Sequence, residues 1–218
     1  MRRILLAGAT GLVGSHVIQH LALGHSNVEL NIIARRPVNS QSAGVQSHVA
    51  EIADWPAIIA QIAPEVAISC LGSTIKAAGS KEAFAAVDFD LVTAFAKVSK
   101  AAGAKHMIEI SSVGANAQSA NFYLATKGKA ESALQALSFD RLDIVRPGLL
   151  RGNRSESRAG EALGIMLSPF SDALMHGVFR RYRSIDSQIV ARAIAALAIV
   201  GGQGEFFHEN DAMTALAG

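Results

Sequence analysis

One cysteine in 218 residues, Cys70, leaves no disulfide to form within the chain. Unpaired thiols are typical of reducing compartments, and a free Cys usually packs as a small hydrophobe. Charge is also scarce. Asp, Glu, Lys and Arg make up 17% of the residues and the net charge is +2, too small an excess to suit nucleic acid. Long apolar runs are missing. Ala193 to Gly202, the longest in the later part of the chain, falls short of the roughly 20 residues a bilayer requires. Met1-Arg2-Arg3 before an apolar stretch imitates a signal peptide, but Thr10, Gly11 and His16 interrupt that stretch. His16 and His20 are four apart with no third ligand nearby, so no metal site is expected. There is no internal repeat and no low-complexity linker. These absences predict a cytoplasmic protein without a membrane or nucleic-acid partner.

Hydrophobic residues are plentiful, at 50%, which excludes disorder and allows a good-sized core. The apolar pattern alternates. Strands read at Arg3–Ala7, Val28–Ala34, Val45–Ala50, Val66–Cys70, Lys105–Ile110 and Leu142–Arg146. Helices read at Gly11–Leu23, Asp54–Ala63, Lys81–Ala102 and Phe122–Leu137. Alternation of this kind gives right-handed crossovers and a doubly wound parallel sheet, Rossmann-like, with helices on both faces. After Pro147-Gly148 the pattern changes, then Ile185–Ile199 reads as a helix and Glu205–His208 as a last short strand. Residues 1–218 are expected to form one domain, in which 148–183 is a small C-terminal cap over the substrate. Arg180, Arg181 and Arg183 form a basic cluster there, most simply a solvated face.

The first strand, turn and helix carry a phosphate cradle. Ile4-Leu5-Leu6-Ala7 leads into Gly8-Ala9-Thr10-Gly11-Leu12-Val13-Gly14, and Val13, Val17, Ile18 and Leu21 follow at helical spacing. Glycines in this context permit the tight turn, the approach of a pyrophosphate and close packing of helix on strand. The helix start offers free N–H groups and the positive end of its dipole. Arg35 and Arg36 follow the second strand, where an acidic residue would mark NAD. Two guanidiniums suit a 2′-phosphate instead, so NADP(H) is the expected cofactor.

Tyr123 and Lys127 are four apart at the start of a helix, hence on one face. A fixed positive charge beside a phenol favours the phenolate and brings its pKa of about 10 toward neutrality. Ser111-Ser112 closes the fifth strand and offers a hydroxyl to the same spot. A pair spaced Tyr-x-x-x-Lys recurs by chance, so its weight comes from standing in a chain that also carries the cradle.

Taken together, Gly8-x-x-Gly11-x-x-Gly14, Leu71-Gly72, Ser111-Ser112, Tyr123-x-x-x-Lys127 and Arg146-Pro147-Gly148 resemble the short-chain dehydrogenase/reductase family. The run Phe122 to Gly128, with Phe139-Asp140-Arg141 and Glu156-Ser157-Arg158, is similar to its atypical branch containing the HIV Tat-interacting protein. The resemblance implies that Thr10, Gly11, Leu12 and Val13 contact the pyrophosphate and that Leu71 and Gly72 line the adenosine side. It implies Leu150 and Arg158 at the nicotinamide half, and a catalytic set of Ser112, Tyr123 and Lys127, with Lys127 also on the nicotinamide ribose. Ser112 is preferred over Ser111 because the second hydroxyl of such pairs is generally the active one. The expected activity is NADPH-dependent oxidation or reduction of a small carbonyl or alcohol, by a monomer or homodimer. The alternatives are an NADPH-binding redox sensor without turnover, and an epimerase that uses the cofactor transiently.

Overall fold

The computed structural model describes residues 1–24, 27–38, 44–152 and 177–218. In chain order the strands are β1 (Arg2–Ala7), β2 (Val28–Ala34), β3 (Val45–Val49), β4 (Val66–Ser69), β5 (His106–Ile110), β6 (Arg141–Val145), β7 (Leu150–Arg151), β8 (Ile185–Asp186) and β9 (Gly204–His208). The helices are α1 (Leu12–Gly24), α2 (Trp55–Ile62), α3 (Ile75–Ala78), α4 (Lys81–Ala85), α5 (Val92–Ala101), α6 (Phe122–Gln135), α7 (Ser187–Ile199) and α8 (Asn210–Leu216). Seven strands form one sheet in the order β3-β2-β1-β4-β5-β6-β9, every neighbouring pair parallel. β7 and β8 pair separately.

This is the doubly wound sheet that the alternation requires. Ile4, Leu5, Leu6 and Ala7 are all fully buried, because both faces of β1 are covered. Side chains alternate between two cores. Ile4 and Leu6 pack against α1 and α7, through Val17, Leu21, Val190 and Ile194. Leu5 and Ala7 pack on the other face against α2, α5 and α6, through Ile59, Phe95 and Leu134. Strand order reverses between β1 and β4, and ligands of such sheets bind in that crevice, beyond the strand ends. Gly8 follows β1 and Leu71-Gly72 follows β4, so the chain delivers both motifs to one place.

The structure departs from the sequence reading in four elements. The helix read over 81–102 is continuous, but Ala86–Leu91 forms a π turn between α4 and α5. Residues 185 and 186 open β8 instead of a helix, and Asp186 then caps α7 by accepting from the Gln188 N–H at 2.8 Å. The short α3 and α8 were not visible as apolar periodicity. Of the cap read over 148–183, residues 153–176 lie outside the described residues, Arg158 among them. No helix among the described residues is long and apolar enough to cross a membrane. No group of three or more His, Cys, Asp or Glu among them could hold a metal ion.

Candidate functional site

The three cradle glycines divide the work unequally. Gly8 has φ +80°, and a Cβ there would lie 2.3 Å from the backbone of Cys70. A Cβ on Gly14 would lie 2.3 Å from the Gly8 carbonyl oxygen, so this glycine lets α1 sit down on the turn. Gly14 lines no cavity wall at this site. Gly11 is less crowded, with the Gly8 oxygen 3.2 Å from the same test atom, and it faces the open crevice. The first turn of α1, at Leu12 and Val13, borders that crevice too, with its N–H groups unused by the helix.

A cavity of about 600 Å³ occupies the crevice. Of the residues expected from the sequence, Thr10, Gly11, Leu12, Val13, Arg36, Leu71, Gly72, Tyr123, Lys127 and Leu150 line it. A second hollow of about 170 Å³ adjoins it, walled by Gly8, Arg35, Arg36, Leu71, Gly72 and the Trp55 side. Arg35 and Arg36 are exposed and have no acidic partner among the described residues. The thiol of Cys70 is pushed well above its ordinary range by burial, then by Glu109, which makes it a poor nucleophile.

Tyr123 and Lys127 share a wall because α6 begins where it does. Asn121 caps that helix by accepting from the Leu124 N–H at 3.2 Å. The helix lies directly on the preceding loop, since a Cβ on Gly128 would lie 2.3 Å from Ala117 N. The Tyr123 ring packs on Phe84, centroids 5.3 Å apart. Lys127 is buried, with Nζ 2.8 Å from Asp88 Oδ1 and donating to the Ile110 carbonyl at 3.1 Å. An ammonium has three donors, so one remains for the cavity. Burial lowers the pKa of this amine, but Asp88 and Glu109 more than offset it and hold Lys127 above its usual range.

Of the two serines, the cavity holds Ser111 and not the expected Ser112. Ser111 is buried on the cavity wall, and its Oγ has no hydrogen-bond partner. The Ser112 hydroxyl donates instead to the Val113 carbonyl at 3.4 Å. Asp88 escaped the sequence reading altogether. It is fully buried on the π turn, and its Oδ2 accepts from the Ser73 N–H at 2.8 Å. Burial raises its pKa and Lys127 opposes the rise. Glu109, an acid inside an apolar strand, was a visible signal that went unused.

Comparison with known proteins fixes the family. HIM1 is the family matched, over residues 37–177. The chain belongs to the HIM1 family. Among curated relatives of this HIM1-family chain, the mitochondrial protein fmp52 of Emericella nidulans is 32% identical over 214 residues, 94% of this chain and 91% of the relative. The mitochondrial protein FMP52-1 of Scheffersomyces stipitis is 37% identical over 154 residues, 69% of this chain and 68% of the relative. Those names overturn the cytoplasmic expectation. A lone cysteine reports a reducing compartment without saying which one.

Solved structures of the same fold include the Bordetella bronchiseptica enzyme WbmH in complex with NAD+, at 15% identity and TM-score 0.68, over 96% of this chain and 76% of that one. MoeE5 in complex with UDP-glucose and NAD gives 14% identity and TM-score 0.71, over 94% of this chain and 74% of that one. At such identity the likeness establishes the Rossmann-like fold of the HIM1-family chain.

Proposed function

We propose that this chain is an NADPH-dependent oxidoreductase acting on a small carbonyl or alcohol. The observation that carries the reading is the single crevice that joins the glycine turn to Tyr123, Lys127 and Ser111. The residues present fit a dinucleotide. Gly11 faces the crevice without a side chain, the start of α1 offers N–H groups to phosphate, and Arg35 and Arg36 have no acidic partner among the described residues at the adenosine end. NAD in the solved structures of this fold supports a nicotinamide cofactor, and the two arginines favour its 2′-phosphorylated form. The run Phe122 to Gly128 and Arg146-Pro147-Gly148 remain the ground for placing the chain near the Tat-interacting branch.

When bound, the nicotinamide supplies or accepts the hydride. The Tyr123 hydroxyl gives its proton to the substrate oxygen as charge develops there. Lys127, anchored by Asp88 and the Ile110 carbonyl, keeps a positive charge near the phenol and eases the loss of that proton. Ser111, with a hydroxyl committed to no other group, holds the same oxygen. General acid–base help of this kind is worth about 10²–10⁴-fold.

The test is a titration of NADPH and NADH against the native protein and the Arg35→Ala, Arg36→Ala variant. Native protein should prefer NADPH. The variant should lose up to about 1.5–3 kcal/mol per charged hydrogen bond for NADPH alone. Equal native affinity for both nucleotides sinks the cofactor assignment. NADPH binding with no carbonyl or alcohol consumed across a panel favours the sensor, and sugar-nucleotide turnover without net NADPH consumption favours an epimerase.

A further inference from the structure

Glu109 is 1% exposed, next to last in β5, and neither carboxylate oxygen has a hydrogen-bond partner among the described residues. It sits on the sheet face covered by α5 and α6, one position along from Ile110, whose carbonyl holds Lys127. The polar and charged groups around it come from three elements. Lys127 and Glu131 approach from α6, Asp88 from the π turn, and Ser69 from β4, in register beside Glu109. Cys70 stands at the end of β4. Glu131 is already taken, accepting from Arg146 Nε at 2.9 Å.

The charges on this face balance only one way. Lys127 offsets Asp88 and Arg146 offsets Glu131. An ionised Glu109 would leave one uncompensated negative charge in a buried place, which is strongly unfavourable. Burial accordingly pushes the Glu109 acid up to about 8, against the opposing pull of Lys127. The acid therefore changes charge close to neutral pH, beside the one ammonium that faces the cavity.

We propose that Glu109 is a positioning residue for Lys127. As the neutral acid it leaves the ammonium to Asp88 and the cavity, and as the anion it draws that ammonium away from Tyr123 and the cofactor. The inference rests on the nicotinamide reading of the site, and it deepens that reading by naming what sets the alkaline limit of the site.

The experiment has two arms. Infrared spectra of the nucleotide-free protein read the carboxylic-acid C=O stretch. That band should be present in native protein at pH 7, fade by pH 9 and be missing from Glu109→Gln. NADPH titrations at pH 7 and pH 9 read the consequence. If only the neutral form binds well, the native Kd rises about tenfold between those pH values, following the neutral fraction of a group titrating near 8. Glu109→Gln should show about twofold or less by the same argument, since its charge is fixed at zero. Glu109→Leu, which continues the apolar strand, repeats the measurement should the Gln variant fold poorly. Native protein that binds NADPH with the same pH dependence as both variants overturns the role of Glu109 and leaves the cofactor reading intact. A native spectrum that does not change in Glu109→Gln overturns it equally. Native protein that binds no NADPH at either pH overturns the nicotinamide reading, and this inference falls with it.

Discussion

Two buried charge clusters sit on opposite faces of the same strands, and they are built on opposite principles. On the α1 and α7 face, toward the start of β5 and β6, Asp143 is fully buried and fully partnered. It accepts from His106 Nε2 and His208 Nε2, each at 2.7 Å, and from Arg141 Nη2 at 3.0 Å. Those three donors lace β5, β6 and β9 together across the sheet. Burial works to raise the Asp143 pKa, but the two histidines and the arginine overcome it and hold the carboxyl well below its usual range. On the α5 and α6 face, toward the crevice, Lys127, Asp88 and Glu109 form the other cluster, and the Glu109 oxygens have no donors. A closed cluster cements strands. An unclosed one can change its proton count, and it is the one that borders the cavity.

The comparison breaks most plainly under one chemical change made twice, acid to amide. Asp143→Asn should cost about 3–5 kcal/mol, because the Arg141 guanidinium is left buried without its counter-charge. Glu109→Gln should cost far less, because it replaces a neutral acid with a neutral amide. Urea midpoints of the two variants at pH 7 decide the matter, and equal losses would erase the distinction between the clusters.

Comparable in size is the pH dependence of stability, where the two acids have opposite signs. Asp143 has a depressed folded pKa. Its stabilisation is therefore present above its unfolded value of about 3.9 and lost as pH falls toward the folded value. Glu109 has a raised folded pKa, so the folded state keeps a proton that the unfolded chain gives up. Between about 4.5 and 8 this removes stability as pH rises, with a slope of about 1.4 kcal/mol per pH unit before relaxation. Unfolding curves from pH 4.5 to 8 should therefore show Glu109→Gln gaining on the native protein. A constant difference across that range would mean that Glu109 is ionised throughout.

The smallest stability effect belongs to the half-buried tyrosine at the cavity wall. Tyr123→Phe keeps the ring contact with Phe84, so thermal unfolding should shift by no more than about 0.5 kcal/mol. NADPH affinity should stay near native while kcat collapses on any substrate found. Native turnover by this variant would remove Tyr123 from the role of acid.

The fold was legible because apolar-rich strands alternate with helices between turn residues. Val28–Ala34 coincides with the expected strand residue for residue. The walls of the crevice were legible too, since Gly8, Gly11, Arg36, Tyr123 and Lys127 are set by short local spacings. What could not be read depends on placement across the chain. Asp88 looked like one polar residue of an amphipathic helix, because a 3.6-residue period does not register a π turn. Glu109 is an acid in an apolar strand, but only the packed sheet shows which face it shares with Lys127. That Ser111 and not Ser112 lines the cavity follows from how the chain turns after β5, which adjacent hydroxyls in a sequence do not reveal.

The π turn at Ala86–Leu91 carries a consequence for how such chains diverge. Each residue added to or removed from a helix swings what precedes it by about 100°. Deleting one residue of that turn after Asp88 would restore a regular ladder and shorten nothing else. Asp88 would then swing away from Lys127, and Phe84 away from the Tyr123 ring, while the sheet and both cores stayed whole. One residue in that turn therefore separates a chain that keeps only the fold from one that keeps the site as well.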